Sequence, residues 1–303
     1  MRSPNLLARA GAGAALAACI ALTPATTLPA RLLSDAGPAR TSAAPVTAPL
    51  RAPVDTEPRW RASGSRSSRA ERAGAVMRTS RAVVSAARLE TGPHAVRVQR
   101  ALARLGSRVN TSDRDALRMA FRAYYAYRAA HPEKVRKPYL YFVDYGLDAG
   151  TPRGYVFDMR ELRIVEGPFR VAHGRGSAPR GGVPRRFSNR RGSEATSLGL
   201  FLAQETYRFS GKSGGRRYTS TGLRLRGLSG HFNARARERG VVVHGAPYVT
   251  GERAGRSEGC PSVSPARART LIPRIRNGGL VFLYSPHDRA WKREDPWANR
   301  GRG

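Results

Sequence analysis

A chain of 303 residues has room for one large domain or two small ones, and at 40% hydrophobic residues it can build a core. Its charge is lopsided: 54 Lys+Arg face 21 Asp+Glu, for a net charge of +33. Four of the cations are lysines (Lys134, Lys137, Lys212, Lys292) and the other 50 are arginines. Ala, Gly and Pro are also heavily used, so the arginine content reads as a compositional bias. It draws the chain to anionic polymers without assigning a function. Zinc-finger spacing, a Gly-rich phosphate loop and an aromatic RNA-binding motif are all missing, which argues against nucleic acid as the partner.

Arg2 and Arg9 precede an apolar run of thirteen residues, Ala10 to Leu22. That is short of the ~20 residues a membrane span needs and suits the core of a secretory signal. Thr23-Pro24-Ala25 and Leu28-Pro29-Ala30 offer cleavage sites, so residues 1–30 are expected to be a signal peptide and the protein to be exported to the periplasm or cell envelope. Leu16-Ala17-Ala18-Cys19 also resembles a bacterial lipobox, which would make Cys19 a lipid anchor and the only link to a membrane. Residues 31–110 are rich in Pro, Ala, Ser and Arg and are expected to be a disordered basic tether. A weak helical pattern runs between Val76 and Leu105. A nucleic-acid-binding arm, the competing reading of this stretch, conflicts with export.

Ordered structure is expected to begin with a helical leader over 111–136. Ser112 and Asp115 have capping-box spacing, and Leu117, Ala120, Phe121, Tyr124 and Tyr127 share one helical stripe. Pro132 disfavours helix at His131 and ends the pattern near Ala130. The period then changes. Tyr139–Asp144, Gly154–Met159 and a shorter run, Leu162–Val165, read as strands. Phe169–His173 leads into Gly174-Arg175-Gly176-Ser177, and 187–192 reads as a loop. Leu198–Tyr207 and Thr221–Leu228 are further strands, Phe232–Arg239 a short helix, and Val241–His244 a strand. Pro265–Asn277 is a basic helix with proline in its first turn, interrupted by Pro273. Leu280–Tyr284 is a last buried strand, and residues 289–303, with Trp291 and Trp297, a polar tail. This many strands against few helices predicts a mainly β domain over 137–288.

The chemistry concentrates in His244 to Val263. Cys260 is the only cysteine beyond the first twenty residues, so after removal or lipidation of Cys19 it has no intramolecular disulfide partner. A thiol of pKa ~8.5 needs a base or a cation nearby to react at neutral pH. His244, at the end of a strand sixteen residues earlier, is the candidate base. Gly259 allows close backbone approach, and the N–H groups of Gly259 and Cys260 are candidate oxyanion donors. Ser257 orients His244, binds substrate or forms the turn. His173, in a Gly-flanked loop, is either substrate-binding or structural. Gly245 is expected to let the chain turn.

His-Gly at a strand end followed by Ser257-Glu258-Gly259-Cys260-Pro261 resembles the L,D-transpeptidase catalytic (YkuD-type) domain, in its Ser-x-Gly-Cys-Pro branch. Tyr141–Tyr145, Val171–Ser177, Phe187-Ser188-Asn189, Gly192-Ser193, Ser197-Leu198-Gly199, Phe232–Arg235 and Val243–Ala246 carry the same resemblance, which extends from Leu117 to Pro286. It implies a mixed β-sandwich with a few short helices and a leading helix, and acyl transfer on peptidoglycan without metal or cofactor. Cys260 would attack the diaminopimelate carbonyl of a stem peptide and expel the terminal D-Ala. The thioester would then pass to an amine, giving a 3→3 cross-link, or to water, giving carboxypeptidase action. The better-known branch carries arginine two positions after the cysteine, where this chain has Ser262. Arg256 and Arg175 are therefore the candidates for binding substrate carboxylates. The rival outside enzymology is a non-catalytic basic protein that clings to the wall.

Overall fold

Two helices precede the sheet. In this computed structural model, residues 92–179 and 182–300 are described, and all fall within one compact unit. The expected signal peptide, Cys19 and the tether as far as residue 91 lie outside them. Helix α1 (Ala95–Leu105) buries Val98, Ala101 and Leu105 against the helix that follows. The disordered stretch expected over 31–110 therefore does not extend through its last turns. Three small or branched residues at helical spacing suffice there because a neighbouring helix covers them, which local composition does not reveal.

Helix α2 (Asp115–Ala130) stops just before His131-Pro132, as predicted. Its burial is wider than one stripe. Ala116, Met119 and Ala123 are covered along with Leu117, Ala120, Phe121, Tyr124 and Tyr127, because α1 lies on one side and the sheet on another. The expected capping box does not form. Ser112 gives its N–H (2.7 Å) and hydroxyl (2.8 Å) to the carboxylate of Asp144, while Asp113 accepts the Asp115 N–H. A buried carboxylate competes better for these donors than an exposed helix start does.

Among the described residues the strands are β1 (Tyr139–Asp144), β2 (Gly154–Asp158), β3 (Arg163–Phe169), β4 (His173–Gly174), β5 (Gly199–Ser213), β6 (Arg216–Gly227), β7 (Val242–His244), β8 (Arg256–Ser257) and β9 (Leu280–Tyr284). Seven form one sheet in the order β3-β2-β1-β9-β5-β6-β7, with β1 and β9 parallel and the other neighbours antiparallel. β4 and β8 pair in parallel as a second, two-stranded sheet. The mixed β architecture with few helices and a leading helix is thus present, its second sheet being very small. All five positions of β9 are buried, so both faces of the sheet centre are covered. Helix α3 (Pro265–Ile275) packs on β7, β6 and β1, and Ser264 caps it by accepting the Arg267 N–H at 3.2 Å.

Three departures from the sequence reading bear on the site. β5 and β6 are longer than the strands expected at 198–207 and 221–228. They meet at Gly214-Gly215, both at positive φ, the conformation that a two-residue hairpin turn demands. β5 pairs with β9 only over Gly199–Leu202, and β6 with β7 only over Gly222–Arg224, so the rest projects as a two-stranded ribbon. One face of it is exposed and the other only part-buried, so its sequence lacks the apolar alternation of a core strand. Second, Phe232–Arg239 is not a helix. A 3-10 turn at Gly230–Phe232 gives way to successive turns, pinned by Asn233, whose side chain bonds Leu198 O, Leu200 O and the Ser229 N–H. Third, the tail is part of the core. Helix α4 (Arg289–Glu294) puts a fully buried Trp291 against Phe282 and Tyr284.

Candidate active site

The chain leaves β7 at His244 and returns beside it nineteen residues later. Val263 N–H donates to His244 O (3.0 Å) and Ala246 N–H to Val263 O (2.9 Å). The Cys260 turn is thereby fixed next to the edge strand. The 171–177 loop clamps it from the other side: Ala172 N–H donates to Ser262 O (2.8 Å) and Arg175 N–H to Ser257 O (2.7 Å), flanking the β4–β8 pairing. Backbones crowd here. A Cβ on Gly174 would lie 2.2 Å from Glu194 O and 2.9 Å from Gly259 Cα, so only glycine fits. Gly259 itself has φ +118, and its Cβ would lie 2.9 Å from Ala195 O.

Cys260 and His244 line one cavity of about 870 Å³, roofed by the β5–β6 ribbon through Tyr207, Phe209 and Tyr218. No hydrogen bond joins the two among the described residues. The half-buried Cys260 thiol points to Gly240 O at 3.8 Å. Burial pushes it up to about 11; the Val242 N–H and Arg239 favour its thiolate, and Glu258 opposes it. His244 is buried, with Nδ1 3.1 Å from Gly245 O and Nε2 2.7 Å from Ser262 Oγ. A carbonyl only accepts, so Nδ1 carries the proton and Nε2 holds the lone pair. Burial holds the ring below its ordinary value, and the Gly245 carbonyl opposes that shift. At neutral pH the pair is a neutral thiol and a neutral imidazole.

The other expected residues separate into two groups. Ser257 does not orient His244. Its hydroxyl accepts the Gly259 N–H (3.1 Å) and donates to Cys260 O (2.7 Å), stitching the turn that presents the thiol. The Gly259 N–H is thereby occupied, which leaves the Cys260 N–H as the remaining candidate oxyanion donor of the pair. Gly245 faces the start of α3, with Pro265 Cα 2.9 Å from where its Cβ would be. It serves close packing rather than a turn. His173 is fully buried against Arg153 and does not line the cavity. Arg175 and Arg256 do line it. Arg175 is paired with Glu194 and lies 3.5 Å from Glu258, whereas Arg256 makes one 3.3 Å bond to Ala178 O. Arg256 is therefore the less committed guanidinium.

Sequence reasoning missed Ser262, Tyr248 and Arg239. Tyr248 O–H donates to Ser262 Oγ at 3.0 Å. Arg239, bonded to Ser188 O (2.7 Å) and Ala195 O (2.8 Å), brings a half-buried positive charge close to the Cys260 thiol. No local motif marks Tyr248 or Arg239, and although Ser262 is two residues from the cysteine, only the fold brings it to His244.

Solved structures similar to this chain include an L,D-transpeptidase from Mycobacterium smegmatis, at 17% identity and TM-score 0.32, covering 48% of this chain and 58% of that one. An L,D-transpeptidase from Stackebrandtia nassauensis matches at 12% identity and TM-score 0.31, over 63% of this chain and 78% of that one. Residues 123–326 of the Xylanimonas cellulosilytica enzyme match at 18% identity and TM-score 0.30, over 65% and 96%. The chain thus spans little more than half of the first of these. No curated protein matches it. The family described as the L,D-transpeptidase catalytic domain matches residues 109–284, more than half of the chain and inclusive of His244 and Cys260. The chain belongs to the L,D-transpeptidase catalytic domain family.

Proposed function

We propose that this domain catalyses acyl transfer on peptidoglycan stem peptides, with Cys260 as nucleophile and His244 as base. The observation that carries this reading is the meeting of the lone thiol and a neutral, lone-pair-bearing imidazole in one ribbon-covered cavity. The sulfur attacks the diaminopimelate carbonyl while its proton passes to His244 Nε2, where the Ser262 hydroxyl turns from donor to acceptor. The resulting oxyanion accepts the Cys260 N–H, a contribution worth roughly 3 kcal/mol per donor. Collapse breaks the C–N bond, and His244 returns the proton to the departing D-Ala amine. An amine of a second stem then displaces the thiol, giving a 3→3 cross-link. Water in its place gives the carboxypeptidase reaction. The absent Cys–His hydrogen bond is compatible with this, since such contacts commonly tighten only with substrate bound. Arg256 is the proposed carboxylate contact. The activity requires export, which the Ala10–Leu22 run favours.

The test is incubation of the protein with purified tetrapeptide muropeptides, read by mass spectrometry. Release of D-Ala with a 3→3 dimer, both lost in Cys260→Ser, is expected. Tripeptide product alone would move the assignment to carboxypeptidase. Neither product, with no covalent adduct from a carbapenem, would leave the wall-binding reading.

A further inference from the structure

We propose that Ser262, backed by Tyr248, is a positioning residue that caps the basic nitrogen of His244 and ties it to the β5–β6 ribbon. Ser262 stands two residues after Cys260, where the other branch has arginine, and is completely buried. Its hydroxyl lies 2.7 Å from His244 Nε2 and accepts from Tyr248 O–H at 3.0 Å. The Gly245 carbonyl takes the Nδ1 proton, so the Ser262 proton must point at Nε2. The direction of the chain is therefore fixed: Tyr248 O–H to Ser262 Oγ, and Ser262 O–H to the imidazole. Tyr218 on β6 is close enough to influence the Tyr248 hydroxyl, and Phe209 on β5 sets its ring edge-on to His244, with centroids 5.2 Å apart at 81°. Both strands of the ribbon thus reach the base.

A bond donated to Nε2 stabilises the neutral imidazole. Protonating His244 requires Ser262 to turn its own proton away and become the acceptor, which reverses the donor order of the chain. Substrate that moves the ribbon changes how readily this reversal occurs. The inference rests on His244 being the base. The other charged or titratable groups that line the cavity with it are Cys260, Glu258, Arg175, Arg253, Arg256, Lys212, Tyr207 and Tyr218. All are retained in the variants below, so their fields cancel in the comparison.

The experiment is titration of His244 by 15N NMR in the full chain, for wild type, Ser262→Ala, Ser262→Thr and Tyr248→Phe. Ser262→Ala is expected to raise the midpoint by half a pH unit or more, about threefold in the protonation equilibrium. Ser262→Thr restores the wild-type value, and Tyr248→Phe gives a smaller rise. Identical midpoints in wild type, Ser262→Ala and Tyr248→Phe would overturn the proposal. If Ser262→Ala does not fold, Tyr248→Phe alone decides. None of these readouts uses peptidoglycan, so they can succeed where muropeptide turnover fails, and the reverse.

Discussion

Nη2 of Arg153 lies 3.0 Å from Nδ1 of His173, and both side chains are fully buried. A guanidinium only donates, so the imidazole is the acceptor and is neutral. Arg153 also donates to Val171 O (2.8 Å) and Leu147 O (2.6 Å). The 171–177 loop that it fixes is the one that clamps the Cys260 turn through Ser257 O and Ser262 O. Replacing Arg153 with Met leaves two carbonyls and the His173 Nδ1 unpaired in the interior. The expected cost is about 3 kcal/mol or more, read as a lower urea midpoint, with faster proteolysis near Arg175.

The same pair predicts a pH dependence of stability. Burial, reinforced by Arg153 and Arg256, lowers His173 to about 3, against 6.5 for the free side chain. Below pH 6.5 the unfolded chain binds a proton that the native state refuses until about pH 3. This contribution is therefore intact above pH 6.5 and lost as pH falls, at up to roughly 1.4 kcal/mol per unit. His244 is shifted in the same direction and adds to the slope. Urea unfolding between pH 7.5 and 4.5 should show a flatter slope for His173→Gln than for wild type. Equal slopes would mean that His173 is not held neutral.

What the sequence made legible was whatever is written locally. The His244–Cys260 spacing, the strands β1, β2 and β9 and the end of α2 depend on residue type and near neighbours, and all were expected. The contacts of Ser262, Tyr248 and Arg239 with the site depend on pairing β7 against β6 and folding the Cys260 turn back onto His173. A serine two residues after a cysteine looks ordinary until Nε2 of His244 is found 2.7 Å away. Trp291 was misjudged for the same reason: its neighbours in sequence are Lys, Arg and Asp, while its neighbours in space are Phe282 and Tyr284.

Trp291→Ala is accordingly expected to behave as a core deletion. It removes a fully buried ring and leaves Asp295 without its 2.9 Å indole partner. A loss of about 3–5 kcal/mol follows from such truncations, measurable by chemical denaturation. A tail that merely hung from the domain would change the midpoint by less than about 0.5 kcal/mol.

Gly259→Ala tests the turn that presents the thiol. Its φ of +118 is costly for an L side chain, and the new methyl would meet Ala195 O at 2.9 Å. The turn must move, carrying the Cys260 N–H and sulfur with it. Misplacement near 1 Å costs on the order of 100-fold in rate. Carbapenem acylation should fall by at least tenfold, while circular dichroism remains native.

The charges around Cys260 make opposite predictions for two neighbours. Burial raises its pKa to about 11, the Val242 N–H and Arg239 lower it, and Glu258 raises it. Iodoacetamide reacts with the thiolate, so alkylation of wild type should climb nearly tenfold per pH unit from 7 to 10 without a plateau near 8.5. Glu258→Gln removes a negative neighbour and should react faster at pH 8. Glu258 is largely exposed, so the gain is about twofold and fades in high salt. Arg239→Met removes the nearby cation and should react more slowly, whereas Arg239→Lys retains most of the rate. The assignment fails if Glu258→Gln slows the reaction, if Arg239→Met speeds it, or if the wild-type profile levels off at pH 8.5.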